Sequence, residues 1–423
     1  MPDDSKKSSM GSPVTSSANT SLLPASTTPA FIDDPGVTRR PRDHRIDFLR
    51  GLALASIFVN HMPGNRFEGW TTRNFGFSDA AELFVLLAGV SAALAFFPRV
   101  LRGDYAGTAL KTLWRAAVLY GAHLGSTLAA VAVFGTAAWL LGSSDIFELI
   151  GITPILDDPS GGVIGVITGT QQLGYFNILP LYVLLLLLAP GFLWLAARDL
   201  RLMLAVSVAV YLLAQWVPVR LPNFPTDGGW YFNPFAWQLI YAVGIALGIL
   251  RLRSQAVPWH PVAGIVAGLY VAYAVVWVKG DMGGHVSLGL LPEWMDTLHK
   301  PTLPLSRLLH VLALAYLLVH CPLWPRLTRL SANNVFTRLG RNSLPVFVFG
   351  SLLSMIGYIV IESFERQAWV DLVLVGSGIA MMAALAAIID AGYIRQMRGH
   401  VVERARTAGS QVLARLHMPK LPH

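Results

Sequence analysis

The chain has 423 residues, of which 54% are hydrophobic and only 13% charged, with a mean hydropathy of +0.53. Average soluble domains carry roughly 25% charged residues, so this chain lacks the charge to cover an aqueous surface, which excludes a soluble globular enzyme, a disordered chain and a disulfide scaffold. The net charge of +8 would suggest nucleic acid in a soluble protein, but the basic residues sit in short clusters between apolar runs, the pattern that encodes membrane topology.

Residues 1–44 stand apart. Their first thirty positions hold eight Ser, four Thr and four Pro and almost nothing to bury, which reads as a disordered tail. From Ile46 on, apolar runs long enough to approach or span a bilayer recur at 46–62, 79–97, 116–141, 178–197, 202–217, 235–250, 260–278, 305–323, 344–361 and 370–393. The expectation is an all-α polytopic bundle of about ten transmembrane helices over residues 45–395, ending in a basic tail, 396–423. Several runs are short for a ~30 Å hydrocarbon core, so some helices should tilt, break or draw on their flanks.

Lys and Arg orient the bundle. With a cytoplasmic N-terminus, 24 of them fall in inside segments and seven outside, with Arg50 inside the first span. The ratio of 24 to seven obeys the positive-inside rule, and an even span number puts both termini in the cytoplasm. Segment 142–177 carries no Lys or Arg and is expected outside.

Ionisable residues within membrane spans are functional by default. In the first span Asp47, Arg50 and His61 fall on one helical face, because eleven residues at 100° each bring His61 about 20° past three turns from Arg50. Their rise of about 16 Å spans half the hydrocarbon. One stripe thus offers a cation toward the cytoplasm and, beside Asn60, a titratable base toward the outer side. The next span opens with Ser78-Asp79-Ala80-Ala81-Glu82. In antiparallel neighbours Glu82 lies at the depth of His61, where a carboxylate would fix the imidazole tautomer. Asp79-x-x-Glu82 is also a capping-box spacing, and both readings stand. Gly89 and Ala93, in line below Glu82, permit close helix contact.

The stretch Asp43 to Leu52 with Asn60-His61, then Thr71 to Gly89, Tyr175 to Tyr182, Phe232 to Gln238 and Leu339 to Leu344, taken as an ordered set, resembles the OpgC branch of the membrane acyltransferase superfamily that includes acyltransferase family 3. The resemblance covers about 45–393. It implies O-acyl transfer, with succinyl the expected group, from cytoplasmic acyl-CoA to hydroxyls of osmoregulated periplasmic glucans, with His61 catalytic. It also implies an inner-membrane location. His61 is then the expected base and Glu82 its orienter, with Asp47, Arg50, Asn60 and Asp79 as neighbouring substrate contacts.

Arg338 and Arg341, followed by Ser343, either mark topology or join Arg45 and Arg50 on CoA phosphates, where a helix N-terminus also favours anions. Arg307 and His310, three apart on one face, either form an interfacial cluster with Lys300 or offer a cation to a succinyl carboxylate. Trp237 and Gln238, with Trp230, Tyr231 and Phe235, read as an aromatic belt or as sugar contacts. No Gly-x-Ser-x-Gly elbow, Walker loop or His-Glu-x-x-His occurs, so a serine esterase, a nucleotide motor and a metal site lose support. The rival functions are acylation of another envelope glycan, and a proton-coupled transporter or flippase in which His61 relays protons.

Overall fold

The structure is a computed structural model that describes residues 43–217, 219–281, 299–322, 333–364 and 367–392. The expected N-terminal tail up to residue 42, the basic C-terminal tail, Arg326, Arg329 and Arg366 lie outside the described residues. So does the orientation of both termini.

The described residues form α-helices and short 3-10 turns, with no strand among them. In chain order these are α1 (His44–Asn60), α2 (Ala80–Leu101), α3 (Tyr105–Leu141), α4 (Thr153–Asp157), α5 (Pro159–Thr168), α6 (Ile178–Arg198), α7 (Leu200–Trp216), α8 (Pro234–Leu252), α9 (Pro261–Lys279), α10 (Leu305–His320), α11 (Val335–Arg341), α12 (Ser343–Ser363) and α13 (Ala368–Asp390). A helix stands at each of the ten expected spans. Seven of them are long and apolar enough to cross a membrane: α2, α3, α6 with its preceding turn, α8, α9, α12 and α13. The other three, α1, α7 and α10, have 17, 17 and 16 residues. At 1.5 Å per residue each falls short of a ~30 Å core. Segment 142–177 contains two short helices, α4 and α5, the latter starting on Pro159 with Asp158 accepting the Gly161 N–H at 2.9 Å.

Burial ranks the helices. α2 and α8 are the most enclosed, while α9 and α13 turn most of their surface outward. The centre of the bundle is the α2–α8 pair, and glycine makes it possible. A Cβ on Gly89 would run into the Tyr241 carbonyl, and one on Gly244 into the Leu86 carbonyl. The small residues let the two backbones touch, as they do between membrane helices generally. The same device docks α11 on α1, where a Cβ on Gly51 would strike Phe336 and one on Gly340 would strike Asp47.

Polar locks close both ends of this core. At one end Asp43 caps α1 through the Arg45 N–H at 3.1 Å and pairs with Arg251, at the end of α8, at 2.6 Å. At the other end, about 25 Å away along α1, α2 begins beside His61, and α10 docks there through Arg307.

Candidate functional site

His61 caps the C-terminus of α1, its N–H bonding the Ile57 carbonyl at 3.0 Å. The ring is half-buried and lies flat on Tyr175, centroids 4.1 Å apart and planes 11° from parallel. Its Nδ1 is buried without a partner among the described residues. The loop behind it is tied down. Asn65 donates to the Val59 and Met62 carbonyls at 2.9 and 2.7 Å, and the buried Asp371 accepts the Arg66 N–H at 3.1 Å. The Asn60 side chain accepts from the Thr71 hydroxyl at 2.6 Å, which fastens this loop.

The expected His61–Glu82 hydrogen bond is not formed. Glu82 is wholly buried. One of its oxygens accepts the Asp79 N–H at 2.9 Å, completing the capping box, and the other accepts from Arg307 Nε at 2.7 Å. The capping reading holds. Ring stacking on Tyr175 is what sets the plane of the imidazole.

Arg307 is likewise not an open cation for a donor carboxylate. Its guanidinium pairs with Glu82 and reaches Asp79 at 3.5 Å, while Lys300 pairs with Asp79 at 2.6 Å. Two acids and two bases neutralise each other. The charges of Lys300 and Asp79 act on the imidazole. One turn along α10 from Arg307, His310 accepts from the Ser78 N–H at 3.2 Å and meets its hydroxyl at 2.7 Å. Arg307 and His310 thus clamp the start of α10 onto the start of α2.

Trp237 and Gln238 face inward and are buried. Trp237 is fully buried, with Nε1 donating to the Pro301 carbonyl at 3.2 Å. Gln238 exchanges bonds with the Ser207 side chain and carbonyl at 2.5 and 2.8 Å. Exposed aromatic rings near this end include Trp70, Phe75, Tyr231 and Phe235.

Below this polar layer lies a cavity of about 380 Å³. Its walls are mostly apolar, including Phe84, Ala88, Leu179, Leu186 and Phe347. The polar lining is Arg50, Ser91, Lys111, Arg115, Ser343, Tyr182 and Tyr241. Arg50 donates to the Ser91 hydroxyl at 2.6 Å and to the Leu87 carbonyl at 3.3 Å, with the buried Asp47 at 3.9 Å. Helix directions place Lys111, Arg115 and Ser343 toward the end of the bundle that holds Asp43. Phe84 and Ile178 lie toward the His61 end, Ile178 three residues past Tyr175.

The expected phosphate-binding set divides. Ser343 lines the cavity beside Arg50. Arg45 is bound to Asp43 at 2.9 Å. Arg338 and Arg341 turn away to Asp390, which Asn342 also holds at 3.0 Å. Lys111 and Arg115 were legible as a basic cluster but count toward topology in the sequence. Their four-residue spacing on one face of α3 is the signal that could have assigned them to a site. No cluster of His, Cys, Asp or Glu that could hold a metal occurs among the described residues.

Several membrane-length helices enclose this mostly apolar cavity with its basic residues at one end, and the chain is a multi-pass membrane protein. The chain belongs to the family described as OpgC protein, which matches residues 42–392. Membership implies a membrane acyltransferase role in glucan modification. No curated protein and no solved structure matches the chain.

Proposed function

We propose that the protein is an inner-membrane O-acyltransferase that moves an acyl group, succinyl by expectation, from cytoplasmic acyl-CoA to a hydroxyl of a periplasmic glucan. The observation that carries this reading is the cavity. Its basic residues Lys111, Arg115 and Arg50 suit phosphates, its apolar walls suit a flexible thioester arm, and its lining runs toward the His61 end as far as Phe84 and Ile178. CoA is anionic at one end and reactive at the other, which matches that polarity. In the transfer, His61 takes the proton of the sugar hydroxyl and the oxygen attacks the thioester carbon. The carbon–sulfur bond breaks, and the CoA thiolate takes the proton back from the imidazolium. The products are a glucan ester and free CoA. Trp70 and Tyr231, exposed near the His61 end, supply stacking surface for the acceptor.

The test is incorporation of label from succinyl-CoA into extracted periplasmic glucan by membranes containing the protein. Wild type should label the glucan, and His61→Ala should not. Label found in another envelope glycan would move the acceptor assignment. No label in any glycan, with a proton flux that depends on His61, would favour a transporter.

A further inference from the structure

Two tyrosines in the cavity have nothing to bond. Tyr182 on α6 and Tyr241 on α8 are both buried, and their hydroxyls have no partner among the described residues. Both line the cavity, and the Tyr182 hydroxyl stands in the field of the Arg50 guanidinium and of Tyr241. Buried phenols normally find a partner. This chain provides one elsewhere, because the equally buried Tyr211 donates to the Leu303 carbonyl at 3.0 Å. Two unpaired hydroxyls on opposite helices of one apolar cavity are what a ligand with hydrogen-bonding groups partway along its length would need.

Depth says which groups. Tyr182 lies seven residues past Tyr175, through the 3-10 turn before α6 and the first turn of α6, about 10–12 Å below the plane of His61. The Tyr241 backbone carbonyl lies against Gly89, seven residues along α2 from Glu82, which puts the root of this side chain about 10 Å below the start of α2. Arg50 lies about 16 Å below His61. A chain of single bonds advances about 3.5 Å per three bonds. If the thioester sulfur of a CoA donor sits at His61, its two amide carbons follow at four and eight bonds, so about 5 and 9 Å away, and the first phosphate oxygen at twelve bonds, about 14 Å away. The farther amide then falls at the tyrosines and the phosphate at Arg50. The acyl group extends in the opposite direction, so it does not reach this level.

Resting on the reading that the cavity takes acyl-CoA, we propose that the Tyr182 and Tyr241 hydroxyls hydrogen-bond the amide of the pantetheine arm, so that they recognise the carrier and are indifferent to the acyl group it bears. Arm recognition belongs to this pair. Head recognition belongs to Lys111, Arg115 and Arg50.

Calorimetric binding of free CoA and of adenosine bisphosphate, the head without the arm, tests this on the full-length protein in nanodiscs. Tyr182→Phe and Tyr241→Phe remove only the hydroxyls. Each should weaken CoA binding about fivefold and leave adenosine bisphosphate binding unchanged. In turnover, KM should rise by the same factor for acetyl-CoA and succinyl-CoA, with kcat kept. Variants that bind CoA as tightly as wild type would overturn the pantetheine assignment, as would an equal loss for both ligands. Wild-type protein that fails to bind CoA at all would instead sink the acyl-CoA reading on which this one rests.

Discussion

Arg307 joins α10 to α2 through a carboxylate with no exposure, and removing one partner of such a pair strands the other. Replacing Arg307 by Leu leaves Glu82 buried without its cation, a change that typically costs about 3–5 kcal/mol. The expected outcome is a large fall in melting temperature in detergent, recovered in part by adding Glu82→Leu. Loss of succinyl transfer in Arg307→Leu alone is therefore no measure of donor choice, because acetyl transfer should fall with it. The imidazole obeys a different logic. His61→Ala should abolish glucan acylation with insertion and CoA binding intact, since the ring lies about 16 Å from Arg50. Tyr175→Phe keeps the stacked face and should keep most of the activity. Tyr175→Ala removes an aromatic contact worth about 0.5–1.5 kcal/mol and should lower kcat roughly two- to tenfold. Comparing the two kcat values separates stacking from any role of the phenol.

Among the elements, α2 against α8 is the pair least tolerant of change. A side chain at Gly244 would drive into the Leu86 carbonyl, so Gly244→Leu should prevent a folded bundle, read as loss of the monodisperse peak in size-exclusion chromatography. The Asp43 lock is milder and pH-dependent. Burial acts to raise the Asp43 pKa, but the Arg45 hydrogen bond and the Arg251 charge outweigh it and hold the carboxyl below its ordinary value. A depressed carboxylate stabilises above its unfolded pKa of about 3.9 and loses that contribution as pH falls through the lower folded value. Wild type should therefore lose more stability on acidification below pH 4 than Asp43→Asn, which has already lost the pair. Local spacing made much of this scale readable. The 100° rule put Asp47, Arg50 and His61 on one stripe, Asp79 and Glu82 announced their own cap, and Gly89 announced a close approach. It could not name partners. Glu82 and Arg307 are 225 positions apart, Ser78 and His310 232, and nothing in either local pattern points to the other. The short helix α11 was hidden for the same reason, since its seven residues form a helix chiefly by packing on Gly51. The cavity was hidden too, because it is assembled from six helices whose sequences each look like ordinary membrane spans.

The molecule as a whole is read against the bilayer. On the expected topology, in which α1 runs from cytoplasm to periplasm, the segment after α3 should emerge outside, and a reporter inserted after the exposed Ser144 should be periplasmic. Ile150 is buried and is a poorer insertion point. A cytoplasmic signal at Ser144 would invert the route proposed for the acyl group. The 37-residue α3 carries a further consequence. It is about 55 Å long, far more than the hydrocarbon requires. Trp114, nine residues in from the start of α3, and Trp139, two from its end, are 70% and 80% exposed. They are separated by about 37 Å of helix, close to the distance between the two headgroup layers, where indole rings prefer to lie. With an indole at each surface, α3 would act as a gauge of membrane thickness. A thinner membrane must lean this helix over, and Lys111 and Arg115 would swing with it, away from the other wall of the cavity. Reconstituted into phosphatidylcholines of increasing acyl-chain length, the enzyme should show a KM for acyl-CoA that passes through a minimum, with Trp114→Ala flattening the curve. The lipid composition of the envelope would then regulate how well the protein grips its donor.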